Sequence, residues 1–267
     1  MKIVVTGGAS GLGEALVHCL ADHEVWILDI KAPAAMSGNH QYIETNLSDP
    51  AAIDQAVAAL PDEIDALANV AGIASAPDPT LVVAVNFLGL RHITSQVIPR
   101  FQGSGRIVNV SSIAGRDWQG RFERIQPLLA TASFAEGLAW CQENVDTLSR
   151  DPYTFSKRAV TAHTMLAAGD AVRSGYRVNC ISPGPIETPL YPEFESLMGE
   201  AQSDWMKAQT GRIASPTDIA EVAALLLTGN CGWLNGVDIP VDGGYSAGLA
   251  SGWIDLATSP VMQQRAR

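Results

Sequence analysis

The chain has 267 residues, 47% of them hydrophobic, with a formal net charge of −11. That length fits one large domain, and the composition is that of an ordinary globular protein. The acidic balance argues against nucleic acid or an anionic membrane surface as partner, since both would repel the chain.

In chain order, "KIVVT" (2–6) predicts a first strand that runs into the glycine-rich turn "TGGASGLG" (6–13) and a helix over 11–22. Further strands are expected at "EVWILD" (24–29), "QYIE" (41–44), "DALAN" (65–69), "RIVNV" (106–110), "YRVNCI" (176–181) and "VDIPVD" (237–242). Helical patterns at 50–60, 80–101, 152–174 and 216–228 fall between them. The last of these opens on "SPTD", where Ser215, Pro216 and Asp218 form a capping-box pattern. Such alternation implies right-handed βαβ crossovers and a parallel sheet covered on both faces, an α/β fold in one domain. Residues 116–150 are too long for a βα connection and read as an insertion. Phe134, Leu138 and Cys141 recur there at helical spacing.

No apolar run approaches the roughly 20 residues of a membrane helix. Cys19, Cys141, Cys180 and Cys231 are scattered, form no C-x-x-C and have mostly apolar neighbours. With no signal-peptide layout ahead of the first strand, the expectation is buried free thiols and a cytoplasmic setting. The five histidines have no metal-ligand spacing, so no metal is expected.

Glycines between a strand and a helix let the backbone approach a pyrophosphate, and the helix N-terminus supplies N–H donors and positive dipole. Asp29 ends the second strand. A carboxylate there can accept from both adenine-ribose hydroxyls and would repel a 2′-phosphate. The glycine loop holds no Arg or Lys, and Lys31 is the nearby cation, so NAD is favoured over NADP. In "DPYTFSK" (151–157), Tyr153 and Lys157 are four apart at a helix start. That spacing puts phenol and ammonium on one face, where the ammonium favours the phenolate that acid/base chemistry needs.

These motifs, from residue 2 to about 244, resemble the classical short-chain dehydrogenase/reductase family. The loop is similar to the family's T-G-x-x-x-G-x-G, "NVAG" (69–72) to its N-N-A-G, and "VNFLG" (85–89) to the segment of its catalytic Asn. "VNVSS" (108–112), "YTFSK" and "NCISPGPIETPL" (179–190) resemble the catalytic Ser strand, the Tyr-x-x-x-Lys pair and the P-G motif. "VDGG" (241–244) resembles the close of the last strand. The resemblance implies a Rossmann fold with a seven-stranded parallel sheet, and catalysis by Ser112, Tyr153, Lys157 and Asn86. Tyr153 would move the proton, Ser112 would hold the substrate oxygen, and Asn86 would anchor a water leading from Lys157 to solvent. It places the cofactor against Gly7, Ser10, Gly11, Leu12, Gly13, Asp29, Ile30, Asn46, Leu47, Asn69, Ala71 and Gly72. Beyond those it implies Tyr153, Lys157, Pro183, Gly184, Ile186 and Thr188. Asn46 stands where the family often has Asp. The long gap between Ser112 and Tyr153 is similar to the bacterial 3α-hydroxysteroid dehydrogenase/carbonyl reductase branch.

Three segments can wall a site beyond the strands' carboxyl ends: the insertion, a lid over 189–212 and the tail 245–267. Trp118, Trp140, Trp205, Trp253, Met198 and Met206 lie in them, which suits an apolar cyclic alcohol such as a terpenoid, steroid or aryl alcohol. The expected activity is reversible NAD-dependent oxidation of a secondary alcohol. An NADPH-preferring carbonyl or ketoacyl reductase and a non-catalytic cofactor-binding regulator are the alternatives. The resemblance also implies a homodimer or homotetramer packed through the Tyr153 helix, with the insertion favouring the dimer.

Overall fold

In the computed structural model, residues 1–265 are described; residues 266–267 at the end of the expected tail segment lie outside that range. Seven strands form one sheet: β1 (Lys2–Thr6), β2 (Glu24–Asp29), β3 (His40–Glu44), β4 (Ile64–Asn69), β5 (Phe101–Val110), β6 (Arg177–Pro183) and β7 (Asp238–Val241). Their order is β3-β2-β1-β4-β5-β6-β7 and every pairing is parallel. Both faces are covered, so the central strands are apolar on both sides. Ile3 and Val5 of β1 face one core while Val4 faces the other.

The helices in chain order are α1 (Gly11–Cys19), α2 (Pro50–Ala58), α3 (Pro79–Val83), α4 (Leu90–Val97), α5 (Phe122–Leu129), α6 (Phe134–Glu143) and α7 (Val145–Leu148). They continue with α8 (Pro152–Ser174), α9 (Tyr191–Met198), α10 (Glu200–Thr210), α11 (Pro216–Thr228), α12 (Tyr245–Ser251) and α13 (Pro260–Arg265). Leu16 and Val17 of α1 and Ile219 and Leu226 of α11 cover the Ile3–Val5 face. On the other face, Ile53 of α2, Ile93 of α4 and Val160 of α8 pack with Val4, Leu28 and Ile107.

A π-helical turn, Ala84–Gly89, joins α3 to α4, giving one helix over Pro79–Arg100. That helix is long and apolar enough to cross a membrane, contrary to the reading of the sequence. Yet 61% of its apolar window is buried inside the fold, so its hydrophobicity is spent on the core. Strand β5 starts at Phe101 rather than 106, because the residues before Arg106 extend the strand past an irregular register opposite Ile64. The capping box at α11 is present, Ser215 and Asp218 each accepting from the other's backbone N–H.

The insertion holds α5, α6 and α7, whose Ile125, Leu128, Phe134, Cys141 and Leu148 are buried in the core on the α8 face. Arg91 of α4 ties it down, donating to the Thr131 carbonyl at 2.9 Å and the Ser133 carbonyl at 2.9 Å. The cysteines need correcting: Cys141 and Cys180 are buried, but Cys19 is exposed and Cys231 half-exposed. They lie at the ends of helices or loops, where apolar neighbours in sequence do not ensure burial.

Candidate active site

The strand order reverses between β1 and β4, and a cleft of about 1650 Å³ opens there at the carboxyl ends of the strands. Its cofactor end is built from the turn after β1. Gly7 has φ +71, and a Cβ on it would sit 2.6 Å from Ala71 Cα; a Cβ on Gly13 would sit 1.9 Å from the Gly7 carbonyl oxygen. These contacts leave no room for a side chain, so the turn stays tight and its backbone bare. Ser10 occupies the N-cap position of α1 but makes no side-chain capping bond. The first N–H groups of α1 therefore face the cleft uncapped, where an anion satisfies them.

Asp29 accepts from Ala9 N at 3.0 Å and Lys31 N at 3.2 Å. Its carboxylate thus shapes the glycine turn while staying on the cleft wall, beside Ile30, Asn46 and Leu47. Asn46 is set by accepting from Ser48 N at 3.0 Å and Ser48 Oγ at 2.8 Å. Gly11, Leu12, Ala71, Gly72, Pro183, Gly184, Ile186 and Thr188 also line the cleft. A bare backbone turn, an open helix N-terminus and a carboxylate at the end of β2 fit a nicotinamide dinucleotide.

Asn69 corrects the expectation. It is 2% exposed and off the cleft wall. Its amide donates to Thr94 Oγ1 at 3.0 Å and Asn109 Oδ1 at 2.8 Å, and Asn109 donates on to Thr164 Oγ1 of α8 at 2.9 Å. This buried chain braces β4 and β5 against the helices on one face, which is a positioning role rather than a cofactor contact.

The other end of the cleft forms where β5 meets α8. Ser111 donates to the Lys157 carbonyl at 3.1 Å and bonds Thr161 Oγ1 at 2.6 Å, fastening the helix to the strand. Asp151 caps α8 by accepting from Thr154 N at 3.0 Å. So held, Tyr153 and Lys157 line the cleft together with Ser112, whose hydroxyl accepts from Ala114 N at 3.2 Å. Lys157 is buried, with Nζ 5.6 Å from the Tyr153 ring centroid and donating to the Val110 carbonyl at 2.9 Å.

Electrostatics here differ from the sequence expectation. Burial pushes the Tyr153 phenol up to about 12, opposed by its hydrogen bond with Ser112 and reinforced by Asp151. Burial also brings the Lys157 ammonium down to about 8. Without cofactor, desolvation outweighs the pairing that favours phenolate, because both groups lose water when α8 docks.

Asn86 sits in the π-helical turn, buried and off the cleft wall. Its Oδ1 accepts from Ile73 N at 2.9 Å, and its Nδ2 donates to the Ile73 carbonyl at 3.0 Å and Ser156 Oγ at 3.0 Å. The side chain is thereby committed to holding the β4 loop against α8. A Cβ on Gly72 would lie 3.2 Å from Asn86 Oδ1 and 3.5 Å from Lys157 Nζ, so the three meet at one point.

The tryptophans do not wall the cleft. Trp118 packs on Phe122, Trp140 stacks on Phe155, and Trp205 donates to Thr258 Oγ1 while packing on Tyr245. Trp253 is 59% exposed. Trp140 fixes the insertion to α8, and Trp205 fixes the lid to the tail. The insertion reaches the cleft only at its ends, through Arg116, Asp117, Ser149 and Arg150. Met198 and Met206 do line it, with Leu190, Tyr191, Phe194 and Leu249, which sequence reasoning missed. For Leu190, Tyr191 and Phe194 the one signal was their place in the expected lid, and for Leu249 its place in the expected tail.

A short chain dehydrogenase family model matches residues 1–122, and an enoyl-(acyl carrier protein) reductase family model matches 129–246. The chain is 35% identical over 247 residues to coniferyl-alcohol dehydrogenase of Pseudomonas sp. (strain HR199 / DSM 7063), covering 92% of this chain and 96% of that one. It is 29% identical to 2,5-dichloro-2,5-cyclohexadiene-1,4-diol dehydrogenase of Sphingobium indicum, covering 92% and 96%. Among solved structures, the 3-alpha-hydroxysteroid dehydrogenase of Pseudomonas sp. B-0831 complexed with NADH superposes with a TM-score of 0.74 at 28% identity, covering 96% and 100%. The tight glycine turn, the β5–α8 corner and these matches along both halves of the chain have one reading. The protein belongs to the short-chain dehydrogenase/reductase family and is an oxidoreductase.

Proposed function

We propose that this protein oxidises a secondary alcohol on an apolar cyclic framework to the ketone, reversibly and with NAD. The observation that carries this reading is the convergence of Tyr153, Ser112 and Lys157 on one wall of the cleft, next to the uncapped turn into α1. Ser112 hydrogen-bonds the substrate oxygen and orients it toward Tyr153. Tyr153, as phenolate, takes the hydroxyl proton; in the reverse direction it returns that proton to the carbonyl oxygen. Lys157 lies one turn along the helix and stabilises the negative phenolate. A nicotinamide bound in the cleft would supply the acceptor for the hydride that leaves the carbinol carbon.

Asp29 supports NAD, since its carboxylate stands at the end of β2 where a 2′-phosphate would meet like charge. The apolar wall of Leu190, Phe194 and Met206 supports a cyclic hydrocarbon skeleton, and the aryl and cyclic alcohols named for the relatives point the same way. The 26% identity over 270 residues to the 3-oxoacyl-[acyl-carrier-protein] reductase of Chlamydia pneumoniae supports, as second reading, an NADPH-preferring carbonyl or ketoacyl reductase.

Titrating NAD and NADP separates the two, followed by a screen of terpenoid, steroid and aryl secondary alcohols by NAD reduction. The expected result is tighter NAD binding and turnover of at least one cyclic alcohol. In Asp29→Ser the NADP/NAD ratio of kcat/KM rises at least about tenfold as the repulsion is removed. Equal or tighter NADP binding by the unaltered chain would favour the second reading.

A further inference from the structure

Helix α9 of the lid carries Phe194 onto the ring of Tyr153. The centroids are 4.8 Å apart with planes at 69°, an edge-to-face contact, and both rings line the cleft. Residues on either side fix the direction of Phe194. Glu193 accepts a hydrogen bond from the Ser75 hydroxyl, on the loop that follows β4. Glu195 accepts from Ser203 Oγ of α10 at 3.0 Å, and Tyr191 also bonds Ser203. Turning α9 about its axis would break bonds to two separate elements, so the aromatic wall is built in place.

Proton transfer by Tyr153 and orientation by Ser112 do not require an aromatic ring at this corner. A substrate whose oxygen reaches both groups must lay its carbon skeleton along whatever stands beside Tyr153. The residue standing there is Phe194, and it prefers planar partners in offset or edge-to-face geometry. We infer that Phe194 is a specificity-determining residue, selecting alcohols whose reacting carbon is attached directly to a planar ring. This rests on Tyr153 being the acid/base of the reaction. Phe194 also helps keep water from the phenol, which links it to the pH profile.

The test compares 1-phenylethanol with 2-octanol, secondary alcohols of equal carbon number, for the unaltered chain, Phe194→Ala and Phe194→Tyr. NAD affinity, measured by fluorescence titration, should be the same in all three. The unaltered chain should favour 1-phenylethanol. Phe194→Ala should lower the kcat/KM ratio of the two alcohols about tenfold, and Phe194→Tyr should restore it. The alanine variant should also move the pH profile of oxidation to lower pH, because its phenol is better solvated. An unaltered chain that prefers 2-octanol would overturn the inference, as would a ratio within about twofold in Phe194→Ala. Turnover surviving in Tyr153→Phe would instead bring down the reading beneath it, leaving the two failures distinguishable.

Discussion

Tyr153 and Lys157 share a helix face and are both poorly solvated, and that sets their titration. The phenol is pushed up to about 12 and the ammonium brought down to about 8, each by burial. In the proposed reaction, oxidation needs a proton acceptor at Tyr153, whereas reduction needs its proton. The kcat/KM for alcohol oxidation should therefore climb with pH toward the raised value of the phenol, about 12, and that for carbonyl reduction should fall. A flat oxidation profile from about pH 6 to about 9.5 would contradict this. The stability linkage carries opposite signs for the two groups. Lys157 has a folded pKa below its unfolded one, so its contribution to stability rises with pH from about 8 to its ordinary value of 10.5. Tyr153 has a raised pKa, so its contribution falls as pH rises from 10.0 to about 12. That these two residues share a helix face was legible in the sequence, because a four-residue spacing on a helix fixes it. Its charge state was not, because desolvation depends on how α8 docks against β5.

Helix ends show how much function lies in what a helix leaves open. Ser215 closes α11 with a capping box, whereas Ser10 leaves α1 uncapped at the cleft. Ser215→Ala should cost about 1 kcal/mol of stability in a denaturant melt and leave NAD affinity unchanged. Gly13→Ala should do the reverse of that division of labour. Its new Cβ meets the Gly7 carbonyl oxygen at 1.9 Å, so the turn must shift and NAD affinity should fall at least about tenfold. Binding within about twofold of the unaltered chain would show that the turn is not the cofactor's seat. Regular elements were readable from periodicity, and α8 and α11 run over the residues expected of them. Helix α5 was not, since Pro127 lies inside it and breaks the sequence signal. Asn69 was misassigned for a related reason. A polar residue at a strand end looks the same in sequence whether it faces a ligand or a neighbouring strand.

At the scale of the whole molecule, the insertion adds three helices over one face of the sheet. Its helices pack over α3, α4 and α8, burying Ile125 and Leu128 of α5 beside the helix that carries Tyr153, while Phe134 of α6 packs edge-on against His92 of α4. The surface α8 could offer a second copy is correspondingly reduced, although Leu166 and Val172 remain exposed on it. We expect a dimer in solution. Light scattering should give twice the chain mass, and a mass of four chains would count against the insertion as the limit on assembly. That 116–150 interrupts the βα alternation was plain from its length. Where it packs was not, because an amphipathic helix announces a buried face without saying what covers it.

In the proposed reaction the hydroxyl proton leaves through Tyr153 as the hydride departs, and a single substitution tests this most directly. In Tyr153→Phe the ring and its contact with Phe194 can persist while the proton acceptor is gone. NAD titration and initial-rate oxidation of the best cyclic alcohol should be measured on the same preparation. NAD affinity should be unchanged and turnover reduced at least about a hundredfold. Turnover within about tenfold of the unaltered chain would contradict it.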